Sequence, residues 1–412
     1  MSARNLWRGL ALLMVVALAL AACQTTPAPA GTEEPEAPPV ETGGFQIPEI
    51  EEGKFNVAMV LIGPHDDGGW SEAHWDGLNY VADNVEGTHV AYIELVPEGA
   101  DSEQVFRSLA RKGFDLIIGT SFGYMDPMEI VATEFPDQMF IHLTGFKTNG
   151  TNYGNMFGEM EVFKYLAGML AGSRAKTDGN PRLGYMATFP IPEELRLGNA
   201  IMLGAKRTCP ECTMDVRWIN TWHDPVIEKE GAESLFDAGV QVVFTGADTP
   251  AAGDVATQLG DVWGVNYDHV NACQTERCLT APYWTWGPIY AAIAQGTMDG
   301  SYTPGFQYFD SSEGGMGLFG FMPGQTPQPG VADLPAEDVQ LVMDTLAAAL
   351  AGEFDRFDVF AGPIYDNQGN LIVPEGATLE QLDLDGFAEF GSPCETCMYW
   401  WADGITAELP DL

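Results

Sequence analysis

From residue 54 onward, short apolar runs alternate with segments of helical spacing. FNVAMVLI (55–62) is a continuous apolar run, the pattern of a parallel strand covered on both faces. Over 71–83, Trp75, Leu78, Val81 and Ala82 share one helical face. HVAYIELV (89–96) is the next strand. Val105, Phe106, Leu109 and Ala110 mark another helix. FDLIIGT (114–120), a helix near 126–134 and MFIHLTG (139–145) complete this half. The pattern restarts with a helix at about 159–173 and strands at 182–188, 213–219, 241–246 and 263–266. Helices near 192–206, 226–238 and 249–259 separate them. Alternating β and α elements predict parallel sheets with helices on both faces, here two doubly wound lobes with a cleft between them. After about 280 the regularity fades. Helices at 286–296 and 335–351 stand out, and residues 366–369 (DNQG) mark a hairpin turn.

In such sheets, ligands bind beyond the carboxyl ends of the strands. That rule selects the loops. GPHDDGGWSEAH follows the first strand, with Asp67, Trp70 and Ser71. SFGYMDP adds Phe122 and Tyr124, and ATFPIP adds Phe189. NTWHDP places Trp222 before a helix start, where Asp224 suits the N-cap and Pro225 the first turn. TGADTP adds Asp248, GVNYD adds Asn266, and LTAPYWTWGP adds Trp284 and Trp286. Trp222 occupies in the second half the place of Trp70 in the first. Two aromatics from opposite lobes can sandwich a planar ring, although packing into the core is an almost equal reading for Trp70. The acids read polar atoms of the solute.

The 412 residues, 46% hydrophobic and 19% charged, form a globular chain and not a disordered one. With Lys+Arg 18 against Asp+Glu 59, the formal net charge is −41, which argues against nucleic-acid binding. No catalytic residues are expected, because no GxSxG, P-loop or kinase set occurs. The His residues show no metal-ligand spacing, so no metal and no cofactor are expected.

Residues 1–22 read as an export signal. Arg4 and Arg8 precede an apolar run too short for a bilayer of about 30 Å. The run ends at Leu20-Ala21-Ala22-Cys23, which resembles a lipobox and makes Cys23 the lipidation site. Residues 23–53, rich in Pro and Glu, read as a disordered tether. Cys209, Cys212, Cys273, Cys278, Cys394 and Cys397 fall into three close pairs, all expected on loops. An exported chain favours local disulfides over a metal site, and other pairings stay open.

DDGGWSEAH, EVFKYLAGMLAG, LGYMATFPIP, NAIMLGAK, NTWHDP, FTGADTPA and LTAPYWTWGPIY occur in an order that resembles the basic membrane protein family of ABC-transporter substrate-binding lipoproteins. The resemblance implies a type I periplasmic-binding fold, two α/β lobes joined by three crossings. The N-terminal lobe would hold 54–148 and about 270–325. The C-terminal lobe would hold 149–269 and about 326–390, with 391–412 as a Cys-containing tail. It implies a monomeric receptor on the outer face of the cell membrane that delivers a purine ligand to a permease with a cytoplasmic ATPase. Trp70 and Trp222 match the aromatics that clamp the base in that family. Asn266 and Trp284 stand where nucleoside binders of that family carry an Asp and a Lys for the ribose, so an adenine-like base is expected over a nucleoside. A receptor that senses its ligand without transport is the alternative.

Overall fold

The apolar runs become buried parallel strands in the computed structural model, which describes residues 44–386 and 396–409. The first half runs β1 (Phe55–Val60), α1 (Trp70–Asn84), β2 (Thr88–Ile93), α2 (Ala100–Lys112), β3 (Leu116–Gly119), α3 (Met125–Glu134), β4 (Met139–Leu143) and β5 (Tyr153–Gly158). The second runs α4 (Met160–Thr177), β6 (Arg182–Ala187), α5 (Pro192–Thr208), β7 (Thr213–Trp218), α6 (Pro225–Asp237), β8 (Val242–Thr245), α7 (Ala251–Leu259), β9 (Trp263–Val265) and β10 (Cys278–Thr280). There follow β11 (Pro282–Trp284), α8 (Gly287–Asp299), β12 (Phe306–Phe309), β13 (Met316–Leu318) and α9 (Ala336–Leu350).

Both large sheets are parallel throughout and share one strand order. The first is β2-β1-β3-β4-β5 with β12 added beside β5, and the second is β7-β6-β8-β9-β10. The order reverses beside β1 and beside β6, and at such switch points the loops diverge and leave a crevice. The chain passes between the sheets three times. It leaves the first after β5, returns through β11 to α8 and β12, and crosses again toward α9, which packs on α4.

Three strands of the two large sheets, and the small antiparallel pair β11–β13, were not foreseen. β5 (YGNMFG) and β10 carry too little β-branched or alternating character to signal a strand. β12 lies in the Gly- and Pro-rich region and earns its place by pairing with β5. Consequently β5, beyond residue 148, belongs to the first sheet, and β10, within 270–325, to the second. Cys278 begins β10 and is not on a loop. The expected tether is also shorter on its C-terminal side, because Phe45 and Ile47 pack against the first-lobe core formed by α2, α3 and their sheet.

Cys209–Cys212 and Cys273–Cys278 form disulfides, and Cys397 is disulfide-bonded. Cys394, Cys23, the export signal and most of the proposed tether lie outside the described residues. The segment around CMYWW, to which the sequence assigned no role, seals the second lobe. Asn199 of α5 donates to the Trp400 carbonyl at 2.9 Å and accepts from Ala402 N at 2.8 Å, and Trp401 is buried.

α4 and α5 touch backbone to backbone through glycine. A Cβ on Gly204 would stand 2.0 Å from the Tyr165 carbonyl oxygen, and one on Gly168 would stand 2.2 Å from that of Ile201. No side chain fits without separating the helices. Gly204→Ala should therefore destabilise the protein by roughly 1–3 kcal/mol or more, read as a lowered midpoint in urea at unchanged slope.

Candidate functional site

A cavity lies between the carboxyl ends of the two sheets, with about 380 Å³ of space, part of it open to solvent. From the first lobe it is lined by Ile62, Trp70, Ser121, Phe122 and Thr144, which follow β1, β3 and β4 or open α1. From the second come Glu193, Glu194, Trp222, Gly246, Asp248, Tyr267 and Asp268, in the loops and helix starts after β6, β7, β8 and β9.

Trp70 opens α1, and its indole N–H donates to the Thr120 carbonyl at 2.5 Å. Behind it stands a buried aromatic stack. Trp286 lies parallel to Trp284 at 4.6 Å, to His74 at 4.8 Å and to Tyr290 at 5.8 Å, and Trp70 meets His74, Trp284 and Trp286 edge-on. The indole is 8% exposed. Core packing and cavity lining, which the sequence set against each other, coexist in this one residue.

Trp222 is half-buried and leans on Phe189 at 5.0 Å. Its indole N–H donates to Glu98 at 3.2 Å, across the lobes. Glu98 is fixed in turn by the Ser121 hydroxyl at 2.7 Å and the Gly123 N–H at 2.8 Å. Phe189 thus supports Trp222 and is not itself among the lining residues, whereas Phe122 and Asp248 are.

The other expected residues are committed elsewhere. Asp67 caps α1, accepting from Gly69 N at 2.9 Å, Ser71 N at 2.9 Å and Glu72 N at 3.0 Å. Ser71 is buried and accepts from Gly63 N at 3.1 Å. Tyr124 packs against Phe106 in the first-lobe core and donates to the Val96 carbonyl. Asn266 accepts from Gly253 N at 2.9 Å and donates to the Ala272 carbonyl at 2.7 Å. Trp286 is in the stack behind Trp70. Strand-end position selected these residues, but it does not say which way a side chain turns, and each found backbone partners or a core face first. Asp224 does cap α6, accepting from Val226 N and Ile227 N.

What the sequence analysis missed is acidity. Glu193, Glu194 and Asp268 join Asp248 on the cavity wall. Glu194 accepts from Tyr185 Oη and Thr188 N, both at 2.9 Å, and burial pushes its carboxyl up to about 7. Burial raises Glu193 to about 8. Asp248 is lifted well above the usual carboxylate range by burial and then by Asp67 nearby. Asp268 accepts from Trp284 Nε1 at 3.0 Å and is raised by burial, with Lys164 opposing. Lys164 of α4 stands behind the wall, donating to the Thr245 carbonyl at 3.0 Å, its ammonium 3.2 Å from the Tyr267 ring centre, and burial lowers it to about 8. Asp268 carried a signal, since it is the one acid of the GVNYD stretch at the end of a strand. Glu193 and Glu194 sit in PIPEE, where a helix start explained them without a site.

The lobes meet through the DDGG turn. A Cβ on Gly69 would lie 1.9 Å from the Asp248 carbonyl oxygen, and one on Gly68 would lie 3.0 Å from the Pro250 ring. The contact is backbone on backbone, so the glycine is a requirement of this closed arrangement.

Residues 54–316 match the Bmp family, described as ABC transporter substrate-binding protein PnrA-like. A putative ABC transporter glucose-binding protein, TsgA13, from Haloferax volcanii is 35% identical over 320 residues, 77% of either chain. A purine-binding protein from Brucella abortus is 33% identical over 366 residues, 87% of this chain and 95% of that one. Among solved structures, a solute-binding protein of an ABC transporter system from Aeropyrum pernix K1 superposes with a TM-score of 0.63 at 19% identity, covering 73% of this chain and 92% of its own, which supports the type I periplasmic-binding fold. The family consists of solute-binding proteins and not enzymes. With most of its folded length matched, and two relatives above 30% identity, this chain belongs to the Bmp family of ABC transporter substrate-binding proteins.

Proposed function

We propose that the chain is a lipid-anchored receptor, held at Cys23 on the outer face of the cell membrane, that binds a purine base and hands it to an ABC permease. The observation that carries this reading is that Trp70 and Trp222, one from each lobe, line the same cavity beside a row of carboxyls. Indole faces stack planar heterocycles, and carboxylates accept from ring N–H and exocyclic amines. The positions aligned with ribose-gripping charges are filled by Asn266, bonded to backbone, and Trp284, buried in the aromatic stack. A base therefore suits the cavity better than a nucleoside.

A second reading has its own support. Carboxylates also accept from paired sugar hydroxyls, indoles also cover the apolar face of a sugar ring, and the Haloferax relative bears the glucose-binding description. Titration calorimetry with adenine, guanine, adenosine and glucose separates the two. The base reading expects heat with a purine base and weaker or no heat with glucose, and the reverse order defeats it.

Trp222→Ala tests the clamp with least risk to the fold, since Trp222 is half-buried while Trp70 is built into the core. Loss of one stacking face costs about 1–3 kcal/mol, or roughly 5- to 150-fold in Kd, with the melting temperature of the ligand-free protein little changed.

Gly69→Ala should abolish closure, because the added methyl meets the Asp248 carbonyl. The expected result is a large loss of affinity for the cognate solute with a folded, open protein by small-angle scattering.

The raised carboxyls give a sign for pH. Between the usual Glu value of 4.5 and the folded values of about 7 for Glu194 and about 8 for Glu193, these two carboxyls hold more protons in the folded ligand-free protein than in the unfolded chain. Their contribution to stability then falls as pH rises through that window, most cleanly above about pH 6.5, where the buried His74, His142 and His223 no longer oppose it. A solute that donates to the ionised carboxylates binds more tightly toward pH 8 than at pH 6. Melting curves and calorimetry across pH 5–9 check both trends.

A further inference from the structure

Asp67, His223 and Asp248 meet at the line where the lobes touch. Asp67 comes from the turn after β1, His223 from the turn after β7, and Asp248 from the turn after β8. One potential ligand atom from each lies within 4.8 Å of the others. The position beside Gly63 shows how tightly they converge, because a Cβ there would stand 3.1 Å from Asp67 Oδ2 and 3.3 Å from His223 Cγ.

Two features lift this above a chance cluster of acids. Asp248 is 4% exposed, yet its Oδ2 is buried with no hydrogen-bond partner, and His223 Nδ1 is likewise buried without one. An unmade bond on a buried carboxylate oxygen is costly. Asp67 accepts from three backbone N–H groups at the start of α1 and from the Ser71 hydroxyl, so a cation would take the acceptor position that this hydroxyl holds. An imidazole with two carboxylates is a donor set for a borderline divalent transition cation, Zn²⁺ or Mn²⁺, and too small a set of oxygens for Ca²⁺.

We propose that Asp67, His223 and Asp248 bind one divalent transition cation that ties the two lobes together at the rim of the solute cavity. Tetrahedral ligands at about 2.1 Å from a metal stand about 3.4 Å apart. The cation therefore draws the three side chains inward by only about an ångström, without rearranging either sheet. It answers the facing carboxyls of Asp67 and Asp248 with positive charge, and it adds closure energy that the solute need not supply. The site shares Asp248 with the cavity, so cation and solute are linked. The proposal goes beyond the purine reading and stands or falls without it.

The test uses the full chain, stripped with chelator and free of any solute, titrated with Mn²⁺ followed by electron paramagnetic resonance and with Zn²⁺ followed by melting temperature. The expected result is a Mn²⁺ signal saturating at one bound ion per chain, a melting temperature that climbs with Zn²⁺ concentration, and at least tenfold weaker response to Ca²⁺. His223→Gln and, separately, Asp248→Asn should each weaken the Mn²⁺ site at least tenfold while leaving the circular dichroism spectrum unchanged. No saturable site up to 1 mM Mn²⁺, or binding as tight in folded His223→Gln as in the parent, overturns the proposal and assigns any residual uptake to the acidic surface. Because no purine or sugar is present, failure of the purine reading leaves this result untouched.

Discussion

The backbone contact between the Gly68-Gly69 turn and the Asp248–Pro250 loop governs everything else at the site. It brings the end of β1 within reach of the end of β8 and so joins two separate crevices into one cavity. Without it Trp70 and Trp222 would belong to different surfaces. The turn is able to do this because Asp67, its neighbour, is spent on capping α1, which fixes the path of the two glycines that follow. Sequence composition there is thus explained twice, once by a helix start and once by the opposing lobe.

The acid wall is the second organising feature. Glu193, Glu194, Asp248 and Asp268 crowd a small volume, with the buried cations Lys164 and Arg196 set against them. Burying carboxyls in this number is unfavourable unless protons, partners or a ligand compensate. The native protein uses several of these means, since Tyr185 and Thr188 serve Glu194, and Trp284 serves Asp268. The ligand-free cavity in consequence holds its carboxyls at an electrostatic cost.

Most of the architecture was legible because parallel strands buried on both faces write themselves as apolar runs, as FNVAMVLI and QVVFTG do. β5 and β10 were not, because Gly and Asn in one and brevity in the other erase that pattern, and their pairing comes from neighbours far away in the chain. Trp70, Phe122, Trp222 and Asp248, which loop position singled out, all line the cavity. Tyr124 and Asn266 were misplaced for the opposite reason, since the same rule cannot foresee that the Val96 carbonyl and the Gly253 N–H would claim them. The three-residue convergence of Asp67, His223 and Asp248 has no sequence signature at all, because its members arrive from separate turns.

The identical strand order of the two sheets has an evolutionary consequence. Corresponding loops from each half face the same cargo, so the halves can diversify independently. One half can keep its grip on the flat part of a molecule while the other is rewritten to read a different edge. A lineage built on such a frame can move between a heterocycle and a carbohydrate by remodelling a few turns, without inventing a new protein.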